Sequence, residues 1–248
     1  MSLSKRLIST QGLSIPNTNI ITLTNTQKFD RNQVTPTNAT RYTYSFWVNW
    51  SNFINTKRNM WLCAGAYPSA PREEIMWNSN GFWMLNYDGG ASAQGIYNSP
   101  AVTVSNNVWY HYCFQKIGGS KPVLFINGNN LGTWSEPTGT PSGDGSNTRI
   151  NSGSDAHRIN GPQWASSEGM NASIAYCQFI DGSIQAPSAF TTTSGGNTIP
   201  AAYTGSWGNN GWQLLFGNTS AIGTDTSGNG NNFTTVPSAT TGTAQVYY

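Results

Sequence analysis

The chain has 248 residues and a net charge of +2; only 9% of its residues are charged, while 12% are aromatic. This balance excludes an intrinsically disordered chain, because disorder requires low hydrophobicity and high net charge. The basic residues are scattered, so we expect no nucleic-acid partner. No segment reaches the roughly 18 consecutive apolar residues of a membrane span, so we expect no membrane partner.

The first 40 residues are polar, with one strand-like run at residues 20–24, and they predict an extended N-terminal arm over residues 1–40. Residues 42–50 then alternate apolar and polar side chains, which is the period of a strand with two unlike faces. Residues 60–65 and 81–87 predict two more strands. A loop is expected between them at residues 67–74.

The stretch from residue 108 to 131 is the best specified. Tyr110, Tyr112 and Phe114 occupy alternate positions, which predicts a central strand with one aromatic face. A second strand is expected at residues 123–126. It is followed by Asn127-Gly128, a dipeptide that supplies the two positive φ angles of a tight hairpin turn.

The longest loop is expected at residues 134–147, and the last strong strand at residues 172–180. One helical turn is predicted at residues 187–190, where a proline occupies the first helical position. Residues 195–202 read as a linker, and residues 212–216 as a further strand. Many short strands without helical periodicity predict an all-β, antiparallel two-sheet sandwich.

Four phrases resemble a known family. WYH at 109–111 with LFINGN at 124–129, and YSFWVN at 44–49, resemble strands of laminin-G-like, concanavalin-A-like domains. IAYCQFIDG at 174–182 with APSAF at 186–190 resembles the version of this domain carried by many bacteriophage tail-fibre and virion proteins. GTDTSGNGNNFT at 223–234 resembles a further phrase of those phage chains.

This resemblance implies a laminin-G-like jelly-roll sandwich over residues 41–190. Residues 191–248 are then a C-terminal extension that contributes strands to the same sandwich or to a neighbour's. The resemblance also implies a structural protein of a phage virion, made in the host cytoplasm and exposed on the particle as a capsid decoration, head fibre or tail-fibre component. The expected partners are other virion proteins, further copies of this chain and host surface glycans.

Two other functions were weighed against this one. A glycan-cleaving enzyme of the same fold needs a convergent pair of carboxylates. Glu73 and Glu74 are adjacent, so a strand points them to opposite faces, and we predict that the chain is not an enzyme. A cellular adhesion module predicts an apolar signal segment and paired cysteines. Cys63, Cys113 and Cys177 are instead an odd number, which indicates buried free thiols in a reducing compartment.

A lectin-like site is predicted from four loop residues, Trp134, Asp144, Asn147 and Trp164. A flat indole ring offers a surface to the apolar face of a sugar, while carboxylate and amide groups hydrogen-bond its hydroxyls. The alternative is that these tryptophans cover the edge of the core or face a neighbouring subunit.

No cofactor is expected, although one sequence has the beginning of a calcium loop. Asp225, Ser227 and Asn229 place oxygens at alternate positions, and a glycine follows at the sixth position. The acid expected at the twelfth position is replaced by Val236. A plain Gly/Asn turn is therefore the favoured interpretation.

Overall fold

The computed structural model describes residues 16–53, 59–65, 72–78, 81–87, 93–138, 148–161, 168–236 and 239–248. In chain order the strands are β1 (Asn17–Leu23), β2 (Lys28–Asn32), β3 (Arg41–Trp50), β4 (Asn59–Gly65), β5 (Arg72–Asn78), β6 (Gly81–Tyr87), β7 (Ala93–Asn98), β8 (Trp109–Ile117), β9 (Val123–Ile126), β10 (Asn129–Asn130), β11 (Ser135–Thr138), β12 (Ala156–Ile159), β13 (Ala172–Asp181), β14 (Thr191–Ser194), β15 (Asn197–Pro200), β16 (Trp212–Leu214), β17 (Thr234–Val236) and β18 (Thr240–Gln245). Within these ranges the one helix is the predicted single turn, a 3-10 helix at Pro187–Phe190.

Two antiparallel sheets form the sandwich, as the strand and turn pattern predicts. The first sheet has the order β10-β9-β8-β3-β13-β1-β18, with β16 also paired to β13. The second sheet has the order β11-β7-β6-β5-β4-β12-β2-β17. β14 and β15 form a separate hairpin.

The core between the sheets is built from aromatic side chains on alternate strand positions. From β3, Tyr44 and Phe46 point inward, and Phe46 meets Trp61 of β4 edge-on with ring centroids 4.5 Å apart. Tyr112 of β8 meets the same Trp61 at 4.5 Å. Burying such a side chain stabilises the fold by about 1.5–3 kcal/mol, and edge-to-face ring pairs add about 0.5–1.5 kcal/mol.

The predicted central hairpin is confirmed. β8 lies between β3 and β9 in the first sheet. Asn127 and Gly128 join β9 to β10 with φ angles of 50° and 76°. Two successive positive φ angles match the right-handed twist of the strands, which is why this dipeptide marks the turn.

The extended arm predicted over residues 1–40 is wrong for its second half. β1 lies inside the first sheet between β13 and β18, and β2 lies inside the second sheet between β12 and β17. The physical reason is the buried apolar side chains of Ile21, Leu23 and Phe29, which fill the core at alternate positions. Residues 1–15 lie outside the described part of the chain.

Two further stretches differ from the prediction. Residues 72–74, expected in a loop, belong to β5, where they pair with both β4 and β6. The linker expected at residues 195–202 begins in the β14–β15 hairpin, whose turn is Gly195-Gly196. In both stretches, pairing with other strands determines the structure. The alternation of apolar and polar residues within each stretch is too weak to predict that pairing.

The C-terminal extension completes the sheets of its own chain. β16 pairs with β13, β17 pairs with β2, and β18 pairs with β1. Trp212, Leu214 and Phe216 of this extension are buried. Strands from both ends of the chain therefore belong to the sandwich, so residues 41–190 are not a separate unit.

A buried polar network joins these distant segments. The Arg31 guanidinium of β2 donates to Asn210 Oδ1 at 3.0 and 3.1 Å and to Asn231 Oδ1 at 2.9 Å. Asn210 Nδ2 in turn donates to Asn151 Oδ1, and Asn151 Nδ2 donates to Asp181 Oδ1. Burial lowers the pKa of Arg31 to about 10, an effect that the charge of Asp225 opposes, so the guanidinium stays protonated at neutral pH.

The network includes residues from two of the sequence motifs that resemble phage virion proteins. Asp181 ends β13 in the phrase FIDG, and Asn231 lies in the phrase DTSGNGN. Their side chains are fixed to the same buried cluster, because unpaired polar groups are costly inside a protein. Both phrases therefore hold the C-terminal residues against the sandwich.

Candidate functional site

The outer face of the first sheet carries a second, smaller apolar cluster. Alternation along β3 and β8 turns Trp47, Asn49, Trp109 and His111 away from the core, and Asn49 lies directly opposite Trp109. Trp47 and Trp109 pack with Val246 from the C-terminal segment, residues 245–248. Trp47 and Trp109 form a layer of aromatic rings on this face, called the floor below.

His111 belongs to that floor and has a structural role. Its ring is fully buried and stacks on Trp47 with centroids 5.0 Å apart. Nε2 is hydrogen-bonded to Ser45 Oγ at 2.9 Å. Burial lowers the pKa of His111 to about 3, so the ring is neutral at physiological pH.

The C-terminal segment is fixed across the floor by backbone pairing. The Tyr248 N–H donates to the Thr198 carbonyl of β15, and the Thr198 N–H donates to the Tyr248 carbonyl, both at 3.1 Å. The Tyr248 ring stacks on Trp47 with centroids 5.4 Å apart. Its hydroxyl lies at the hairpin turn, 3.4 Å from where a Cβ on Gly128 would stand.

A cleft of about 510 Å³ opens between the C-terminal segment, the start of β8 and the hairpin turn. This volume lies in the range of small-ligand sites. Five side-chain amides line it: Asn49, Asn107, Asn127, Asn197 and Gln245. The rest of the described lining is Val108 and three aromatic residues: Trp109, Tyr247 and Tyr248.

Several of these groups are available to a ligand. The side chains of Asn49 and Asn107 make no hydrogen bond within the described ranges. Asn127 uses Oδ1 to accept from the His111 N–H at 2.8 Å, which leaves its two Nδ2 hydrogens for a ligand. Tyr247 is 42% exposed and offers a ring face, whereas Trp109 is only 8% exposed. The cleft thus combines hydrogen-bonding amides with an exposed ring.

A second and larger cleft, of about 650 Å³, lies between residues 219–224 and residues 232–241. Its described lining combines the hydroxyl side chains of Ser and Thr with apolar side chains, and Asn232 is its one side-chain amide. Asn232 Oδ1 already accepts from the Asp225 N–H, and the neighbouring Phe233 ring is buried. This cleft offers a polyhydroxylated ligand less than the first one does.

Of the four predicted lectin residues, the structure describes Trp134. Trp134 is buried in the core and meets Phe114 edge-on at 5.9 Å, so it has no face to present to a sugar. It fits the alternative interpretation, in which the ring covers the core edge. Asp144, Asn147 and Trp164 lie outside the described residues.

The candidate calcium loop forms a turn that uses its own carboxylate. Asp225 Oδ1 accepts from the backbone N–H of Gln213 and Ser227, both at 2.9 Å. Oδ2 accepts from Ser227 Oγ and from the Asn231 N–H, both at 2.8 Å. With both oxygens occupied, this geometry favours the turn, and Asn229 donates through Nδ2 to the carbonyls of Gly208 and Gly211.

The two adjacent glutamates point in opposite directions and are both buried. Glu73 faces the core, where Oε1 accepts from the Tyr42 hydroxyl at 3.1 Å and Oε2 from the Ile150 N–H at 2.9 Å. Glu74 pairs with Arg72 at 2.7 Å. Burial raises the pKa of Glu73, an effect that its hydrogen bonds and Lys116 oppose.

The described residues contain no group of three or more His, Cys, Asp or Glu side chains placed to hold a metal ion. They also contain no helix with the length and hydropathy needed to cross a membrane.

Two residues that line the cleft, Trp109 and Asn127, lie in residues 108–131, the stretch whose structure is best predicted from the sequence. Alternation puts Trp109 on the strand face opposite Tyr110. Nothing local showed that Tyr247 and Tyr248 return to this face, because that contact depends on pairing with β15 more than 40 residues earlier in the chain.

Comparison with known proteins rests on structure alone, since no domain-family model and no curated protein sequence matches the chain. The native heptameric SAP-like pentraxin of Limulus polyphemus matches with a TM-score of 0.56 at 13% identity, over 93% of this chain and 96% of that one. A proposed carbohydrate-binding protein from Bacteroides ovatus ATCC 8483 matches with a TM-score of 0.56 at 13% identity, over 93% of this chain. The match spans 61% of the Bacteroides chain's length.

At this low identity the matches show the fold and nothing further. The chain has an antiparallel jelly-roll sandwich like that of the pentraxin, which is the fold class predicted from the sequence. Function has to be argued from the chain's own site.

Proposed function

We propose that the chain is a non-catalytic glycan-binding module displayed on the surface of a bacteriophage particle, as a capsid decoration, head fibre or tail-fibre component. The observation that carries the binding function is the cleft beside Tyr247, where side-chain amides surround an exposed ring. Sugars need both kinds of group, because their hydroxyls seek hydrogen bonds and their C–H faces stack on aromatic rings.

The chemistry of the carboxylates supports a binding role. The described lining of the cleft contains no Asp or Glu. Glu73 and Glu74 are buried on opposite faces of β5, whereas a glycosidase needs two carboxyl groups about 5–9.5 Å apart around its substrate. The name of the Bacteroides structural neighbour, a carbohydrate-binding protein, also supports a binding role.

The virion part of the proposal rests on sequence. IAYCQFIDG with APSAF, and GTDTSGNGNNFT, resemble phrases carried by phage tail-fibre and virion proteins. On the particle, the module would contact other virion proteins and further copies of itself. Host surface glycans would be its external ligands.

The binding function is tested with a glycan microarray and two variants. Native protein should bind at least one glycan, and Tyr247→Ala should weaken that binding by roughly five- to thirtyfold, because a stacking ring contributes about 1–2 kcal/mol. Ile117→Ala is the matched control, since Ile117 is also 42% exposed but lies at the far end of β8. A blank array, or equal weakening by both variants, would contradict the proposal.

The location is tested separately. An antibody against the purified chain should label intact phage particles produced by the strain that carries the gene. If the antibody detects the chain in infected cells but never on purified particles, the virion role is refuted. That result would not affect the proposed binding function.

A further inference from the structure

We infer that the cleft beside Tyr247 selects neutral sugars and binds them without a metal ion. This inference rests on the proposed glycan-binding function and adds the ligand class. It follows from what the described lining contains and from the charged groups that this lining lacks.

The charge of the side chains that line the cleft bears on which sugars it can bind. Arg and Lys bind the carboxylate, sulfate and phosphate groups of acidic sugars more strongly than neutral amides do, because a charged donor offsets more of the cost of desolvating an anion. The described lining contains no Arg, Lys or His side chain. His111 lies beneath the cleft, but burial holds its pKa near 3, so it brings no positive charge at neutral pH.

A sugar hydroxyl donates one hydrogen bond and accepts others, and an amide side chain can meet both needs at once. Asn49 and Asn107 have both ends of the amide unused within the described ranges. Asn127 keeps its donors, since Oδ1 is occupied by His111, and Asn197 keeps its oxygen, since Nδ2 donates to the Gly195 carbonyl at 3.3 Å. The amides thus present a mixed set of donors and acceptors.

A hard cation such as calcium is held by several oxygen ligands that include carboxylates. No side chain of the described lining is a carboxylate. Both oxygens of the Asp225 carboxylate are already occupied by four donors from Gln213, Ser227 and Asn231. Sugar recognition here is therefore direct, through amides and rings.

The inference is tested on matched glycan pairs, in which a neutral oligosaccharide is compared with the same structure capped by a sialic or uronic acid. We expect the neutral member to bind at least about tenfold more tightly, which corresponds to about 1.4 kcal/mol. We expect its affinity to stay within about twofold in excess EDTA. Tighter binding of acidic members, or loss of binding in EDTA, would overturn the inference while leaving glycan binding intact.

A charge variant makes the test independent of the ligand panel. Asn49→Lys places an ammonium beside Trp109 and should raise affinity for the acidic member relative to the neutral one by about tenfold. Asn209→Lys, at an exposed position outside the described lining, controls for net charge. An unchanged preference in the folded Asn49→Lys protein would show that the sugar binds elsewhere. Failure of every glycan to bind native protein would overturn the proposed function and this inference together.

Discussion

Asn210 lies in the buried network around Arg31, far from the proposed ligand cleft, so we expect its substitution to lower stability strongly. Asn210 is fully buried; its Oδ1 accepts from Arg31 and from the Val34 N–H, and its Nδ2 donates to Gln33 and Asn151. Asn210→Ala removes all of these bonds. A stranded buried polar group costs about 1–3 kcal/mol. At least two are stranded, an Arg31 N–H and Asn151 Oδ1, so we expect the free energy of unfolding to fall by about 2–5 kcal/mol.

Calorimetry or urea denaturation measures this effect. For a chain of this length the loss corresponds to a decrease in Tm of roughly 5–15 °C. Asn209→Ala is the matched control, because Asn209 is the exposed neighbour and its side chain makes no hydrogen bond in the described part of the chain. If the two variants melt at the same temperature, the network does not hold the C-terminal segments in place.

Two further predictions concern titratable groups. Burial lowers the pKa of His111 from about 6.5 in the unfolded chain to about 3, so its contribution to stability is complete above pH 6.5 and is lost as pH falls toward 3. Between pH 7 and pH 5 the native protein should lose about 2 kcal/mol more than His111→Phe, and equal losses in urea titrations would show that the histidine is not buried in neutral form. Glu73→Gln should bind glycans like the native protein, and neither protein should release sugar from β-glucans. Release that disappears in the variant would indicate an enzyme.

The fold was predictable where the two faces of a strand differ strongly. In β3 and β8, an aromatic and apolar row on the core face alternates with mixed polar and aromatic residues on the outer face, so the period of a strand is visible in the sequence. β18, with the sequence TTGTAQ, carries almost no such contrast. It forms because Asn17–Thr22 offers an edge for pairing, more than 200 residues away in the chain. Pairing over that distance leaves no local pattern to read.

The binding site was less predictable for a related reason. Loop position suggested that Trp134 is exposed, but the chain folds this ring against Phe114 inside the core. The exposed ring belongs to Tyr247, which reaches the cleft only because β18 joins β1 and the backbone of Tyr248 pairs with Thr198. The motif DTSGNGN forms a turn, and nothing in its sequence showed that Asn231 would accept from the distant Arg31. The sequence shows which side chains could stack on a sugar or hydrogen-bond to it. It does not show which of them are buried, because burial depends on strand pairing between distant parts of the chain.

The most direct test of the central claim is an experimental structure of the chain soaked with a neutral oligosaccharide selected on the microarray. We expect sugar density in the cleft, with a pyranose ring against Tyr247 and hydroxyls within about 3.2 Å of the amides of Asn49, Asn107 or Asn127. Density at another surface, with this cleft empty, would contradict it.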